Sequence, residues 1–109
     1  MSIVIIDKPE FEVTVTLATR QVKGDLKCRF VAYPQSDLTA MQAQAVGDGL
    51  GPGGVLRQVL VWFESVQLPG GLLDFDGPAS VDKLIDFHGV GPALLNAYYK
   101  ALWEEASGN

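Results

Sequence analysis

Phe11-Glu12-Val13-Thr14-Val15-Thr16-Leu17-Ala18 is the stretch that decides the fold. Apolar Phe11, Val13, Val15 and Leu17 alternate with Glu12, Thr14, Thr16 and Ala18. Successive side chains of a strand point to opposite faces, so this period of two predicts a half-buried strand reaching Arg20. Lys23-Gly24-Asp25 then supplies turn chemistry. Alternation returns from Leu26 to Tyr33, with Leu26, Cys28, Phe30 and Ala32 on one face and Lys27, Arg29, Val31 and Tyr33 on the other. Residues 11–33 therefore read as a β-hairpin. A lone hairpin is marginal in water, so its apolar face must dock on a second layer.

That second layer reads as helical, over residues 36–106. Ser36 has the hydroxyl of a helix N-cap, and Asp37 suits the positive end of the helix. Leu38, Met41 and Ala45 recur at helical spacing up to Gly47. Five of the eight residues from Gly47 to Gly54 are glycine, which predicts a flexible connector. Val55 to Val66 has the strongest helical pattern, with Val55, Leu56, Val59, Leu60, Trp62, Phe63 and Val66 on one face. The β-branched and aromatic cluster from Val59 to Phe63 also suits a strand. Pro69-Gly70-Gly71 and Asp76-Gly77-Pro78 are turns flanking a short extended Leu72-Leu73. Ser80 is placed to cap a helix carrying Val81, Leu84, Ile85 and Phe87. Pro92 fits the first turn of a last helix, whose core stripe is Leu94, Leu95, Tyr98 and Leu102. The expected fold is α+β, an N-terminal β-hairpin packed on three or four α-helices, with residues 1–109 as a single domain.

Composition narrows the function. With 109 residues and 48% hydrophobic content, the chain suits one folded domain and not a disordered one. No apolar run approaches the ~20 residues that span a bilayer. Ile3-Val4-Ile5-Ile6 is too short for a signal-peptide core and lacks a basic segment before it, so a soluble intracellular protein without a membrane partner is expected. One cysteine, Cys28, excludes an internal disulfide or a Cys-based zinc site, and one histidine, His88, excludes a His-pair metal site. The net charge of -5 argues against nucleic acid, but it is unevenly spread. Residues 1–33 hold five basic and four acidic groups, whereas residues 34–109 hold three and nine. Opposite signs on head and body suit head-to-body association of copies, and also suit two solvated faces.

No motif carries chemistry. Gly49, Gly51 and Gly54 match the dinucleotide fingerprint G-x-G-x-x-G, but a helical segment precedes them where a strand is required. Asp74-Phe75-Asp76-Gly77 resembles part of a calcium loop, yet apolar Leu72 stands where an oxygen ligand belongs. Phe87-His88-Gly89-Val90-Gly91-Pro92-Ala93 has the form of a helix-hairpin-helix link, whose N–H groups hold a phosphate in nucleic-acid-binding modules. Here Asp82 and Asp86 precede it, and Lys100 is the first cation after it, which disfavours a phosphate. Cys28 sits on an apolar strand face and reads as inert core. No cofactor and no catalytic set is legible, so an enzyme is not expected.

The remaining candidates are interface residues. Trp103 falls beside Asn96 and Lys100 on a helical wheel, with Tyr99 one turn earlier at the flank. This pair reads either as an exposed aromatic anchor or as residues covered by the hairpin. Lys27 and Arg29, on the polar face of the hairpin, are the candidate basic partners in association between copies.

The order of these elements resembles the tail assembly chaperones of long, flexible-tailed bacteriophages. The likeness runs from about Phe11 to Ala106 and is carried by Val61-Trp62, Asp76-Gly77, Leu84-Ile85, Val90, Ala93-Leu94 and Ala97-Tyr98. It implies a non-enzymatic chaperone, acting in the host cytoplasm and absent from the mature virion. Such a protein coats the tape measure protein and recruits tail tube subunits. It implies self-association as a homo-oligomer, and a longer product made by ribosomal frameshifting. The chain departs from the family pattern in its nearly uncharged first helix and its glycine-rich 47–54 segment.

Overall fold

The computed structural model describes Ile3 and residues 8–106, of Glu105 and Ala106 the backbone only. In chain order the elements are β1 (Glu10–Ala18), β2 (Lys23–Val31), α1 (Gln35–Gly47), α2 (Pro52–Val59), β3 (Leu60–Phe63), β4 (Val66–Leu68), β5 (Gly71–Leu73), α3 (Gly77–Ile85) and α4 (Val90–Ala106). The class is α+β, with N-terminal strands packed against helices. The run Ile3-Val4-Ile5-Ile6, apart from Ile3, lies outside the described residues.

Strands β1 and β2 pair antiparallel from Glu10↔Val31 to Ala18↔Lys23. Their turn comes earlier than the sequence suggested. Thr19 N–H donates to the Val22 carbonyl at 2.9 Å, and the Thr19 hydroxyl accepts the Val22 N–H at 2.9 Å. Lys23, Gly24 and Asp25 belong instead to β2, where Gly24 has φ +132°, a backbone angle that glycine alone adopts without strain. β3 pairs with the other edge of β2, through Cys28↔Phe63, Arg29↔Trp62 and Phe30↔Leu60.

β3 corrects the helix expected over Val55–Val66. The helix ends at Val59, and Leu60 turns extended at φ -89° and ψ 106°. A continuing helix would have buried Trp62 with Phe63. The strand buries Leu60 and Phe63 and lays Trp62, half-buried, against Arg29 at 5.3 Å. The open edge of β2 supplies backbone partners for this run, and its β-branched and aromatic residues suit a pleated surface.

Three further expectations are corrected. Pro34, not Ser36, stands at the N-cap of α1, and Ser36 is exposed within the first turn. α3 begins at Gly77, with Pro78 in its first turn. Ser80 therefore lies inside the helix, buried. Its hydroxyl accepts the Asp76 N–H at 2.7 Å and donates to the Gly77 carbonyl at 2.6 Å, satisfying the helix start from within. The glycine-rich connector shrinks to Asp48–Gly51, because Pro52, Gly53 and Gly54 open α2. Gly53 and Gly54 are buried, and a Cβ on Gly54 would meet the Cβ of Ala45 at 2.5 Å. This stretch is a close-packed corner between α1 and α2.

The small β4–β5 hairpin turns at Pro69-Gly70, and Leu72-Leu73 is extended as expected. One apolar core joins the inner sheet face to the helices. It includes Leu26, Cys28 and Phe30 of β2, Leu56 and Val59 of α2, Val81 and Leu84 of α3, and Leu94 and Tyr98 of α4. Within the expected α4 stripe, Leu94 and Tyr98 are fully buried, while Leu95 and Leu102 are half-buried. The Tyr98 ring lies 6.0 Å from that of Phe11 and 5.2 Å from that of Phe30, which ties α4 to both strands of the first hairpin.

Candidate protein interface

α4 fixes the geometry of the candidate face. Tyr98 is the internal anchor, its hydroxyl donating to the Val31 carbonyl at 2.7 Å and accepting the Tyr33 N–H at 3.3 Å. Burial pushes its phenol pKa up. With Tyr98 directed at the sheet, the helical period turns Tyr99 towards α1 and Trp103 outward. Tyr99 is half-buried, 5.5 Å from Tyr98, and its hydroxyl accepts a hydrogen bond from the Gln42 amide of α1. Trp103 is 74% exposed. The two aromatics line one groove of about 600 Å³ with Gln35 of α1 and Lys100 and Leu102 of α4. Lys100 reaches Glu104 at 3.8 Å across one helical turn. The pair expected from the i, i+4 spacing is thus divided: α1, not the hairpin, half-covers Tyr99, and Trp103 stays at the surface.

The structure does not bring Lys27 and Arg29 to this groove. They project from the outer face of the sheet, whose inner face carries the core against α4. Arg29 is taken up by neighbours, with Glu12 at 3.4 Å and the Trp62 ring at 5.3 Å. Lys27 is exposed, and its backbone N–H donates to a Glu64 carboxylate oxygen at 2.8 Å. Glu12 thereby pairs with Arg29 within the hairpin itself, and Glu64 engages the Lys27 backbone and not its ammonium group. Spacing in sequence showed no sign of Gln35 and Gln42 near Tyr99, because it does not report that these α1 side chains reach the α4 face.

Other motifs resolve into packing. Gly49 and Gly51 adopt positive φ of 69° and 59° to turn the α1–α2 corner. In the α3–α4 link, the His88 N–H donates to Gln21 at 3.4 Å and the Val90 N–H to the Phe87 carbonyl at 3.2 Å. A Cβ on Gly89 would stand 3.0 Å from the Thr19 methyl, so this link is pressed against the hairpin turn. Cys28 is fully buried, and burial with the nearby Glu64 charge pushes its thiol up to about 12. Among the described residues, no cluster of three or more His, Cys, Asp or Glu could hold a metal ion. Among them, too, no helix is long and apolar enough to cross a membrane.

No family model, curated protein or solved structure matches the chain.

Proposed function

We propose that the chain is a tail assembly chaperone of a long, flexible-tailed bacteriophage. In this reading it is no enzyme. It binds the tape measure protein, recruits tail tube subunits in the host cytoplasm and is left out of the finished virion. It works as a homo-oligomer, alongside a longer frameshifted product. The sequence resemblance from Phe11 to Ala106 suggests the family. The observation that carries a binding role is Trp103, 74% exposed on the C-terminal half of α4 beside a groove lined by Tyr99 and Leu102. A tryptophan offers a large contact area with little rotamer entropy to lose, which is why it recurs at energetic centres of interfaces.

The test is capture of tape measure fragments by the full chain and by Trp103→Ala. An anchor loses about 2 kcal/mol or more of binding on truncation. Because the side chain is mostly exposed, melting should stay within the small range of surface substitutions. Unchanged capture by Trp103→Ala would remove this face from the reading, and failure of the wild-type chain to capture any fragment would remove the reading itself.

A further inference from the structure

We propose that the β2 edge at Lys23–Asp25 receives the Ile3–Ile6 segment of a second copy as an added antiparallel strand. The proposal concerns contact between copies and stands apart from tape measure binding.

The parity of the β1–β2 ladder shows which way this edge points. On the β1 side the Val22 carbonyl accepts the Thr19 N–H, and the Ala32 N–H donates to the Pro9 carbonyl. Even-numbered residues of β2 therefore face β1, and Lys23, Asp25 and Lys27 face away from it. On that far side β3 covers only Cys28 to Phe30. One more backbone bond follows, from the Glu64 N–H to the Lys27 carbonyl at 3.0 Å. The Lys27 N–H is then satisfied by the Glu64 side chain, a carboxylate standing where a strand carbonyl would be. Beyond Glu64 the chain leaves this edge, and β4 pairs with β5. Among the described residues no strand pairs with Lys23–Asp25 on the side away from β1.

The slot opens onto a groove of about 550 Å³, whose apolar wall includes Leu26, Val66, Leu68 and Phe87 and whose polar lining includes Glu64 and Gln67. A strand laid in the slot offers backbone groups to Lys23 and Asp25 and sends alternate side chains towards the apolar wall of this groove. Ile3-Val4-Ile5-Ile6 is a β-branched and wholly apolar run, the composition such a slot selects. In the antiparallel sense, Asp7 follows the run towards Lys23, which pairs opposite charges at the rim. The donor must come from another molecule. From Ile6 to Glu10 the chain spans at most about 14 Å. The nearest slot position, beside Asp25, is opposite Thr16, which lies about 20 Å along β1 from Glu10. The donor segment joins the hairpin at Glu10 and the slot lies at its Lys23 end, so each copy gives from one end and receives at the other. Such contact is heterologous and builds open chains.

The test uses light scattering on the full chain and two variants. Val4→Asp/Ile5→Asp spoils the donor outside the described fold. Asp25→Pro removes an edge N–H that β1 does not use, and Asp25→Ala is its control. Wild type and Asp25→Ala should grow in mass with concentration, undiminished by salt. Each of the other two should scatter as a single chain, and their equimolar mixture should form dimers and nothing larger. A labelled peptide of residues 1–9 should bind the donor-defective variant, which keeps an intact slot. A monomeric wild type, a donor-defective variant that still assembles, or a peptide that does not bind would each overturn the proposal. Association that disappears with salt would assign the contact to charge and overturn it as well.

Discussion

At the scale of single residues, burial decides what the polar groups do. Tyr98 is fully buried, yet its hydroxyl closes two backbone groups where β2 ends, the Val31 carbonyl and the Tyr33 N–H. Tyr98→Phe keeps the ring and strands both partners. It should cost about 1–3 kcal/mol, read as a lower denaturant midpoint with an unchanged slope. Cys28 gives a second prediction. Its folded thiol is held at about 12 against an ordinary value of 9.0, so the folded state retains the proton that the unfolded state releases. Stability is therefore unaffected by this group below pH 9 and falls as the pH climbs from about 9 towards 12. Native protein at pH 8 should label with a thiol reagent only at its rate of opening, and labelling at the speed of a denatured control would contradict this burial.

At the scale of elements, close approach and backbone angles account for the glycine-rich corner. Gly54 lies in α2 where α1 crosses, and an added Cβ would meet the Cβ and Cα of Ala45 at 2.5 and 3.2 Å. One of these atoms is backbone, so the helices must separate. Gly54→Ala should cost about 1–3 kcal/mol despite the better helix propensity of alanine. Gly47 ends α1 with open space around it. Gly47→Ala should leave melting unchanged or raise it by up to about 1 kcal/mol equivalent. Equal responses of the two variants in thermal unfolding would show that α1 and α2 do not cross here. The same scale explains the break at Leu60. The α2 side chains bury one helical face up to Val59, and the edge of β2 then offers hydrogen-bond partners that a longer helix would have left unmet.

At the scale of the whole molecule, charge and backbone accounting bear on nucleic acid. The chain carries a net charge of -5, and the α3–α4 link engages its His88 and Val90 N–H groups within the protein. A helix-hairpin-helix site needs such donors directed at a phosphate, with cations beside them. Gel shifts at low salt with duplex and single-stranded DNA should show only weak association that salt abolishes. Tight binding lost on Gly89→Ala would move the helix-hairpin-helix reading to first place.

The sequence by itself determined the hairpin, because an eight-residue period of two leaves one face that must be buried. It determined α1, α3 and α4 within a few residues, and the core role of Leu94 and Tyr98, because helical spacing fixes which side chains share a stripe. The aromatic pair at Tyr99 and Trp103 was legible as a candidate on the same ground. Tertiary structure alone decided that α1 half-covers Tyr99, that Arg29 is spent on Glu12 and Trp62, and that Leu60–Phe63 is strand and not a continuation of the helix. Each of these depends on which distant backbone or side chain arrives as a neighbour. A local run such as Leu60-Val61-Trp62-Phe63 satisfies either period, and the unpaired edge of β2, thirty residues away in sequence, is what settled it.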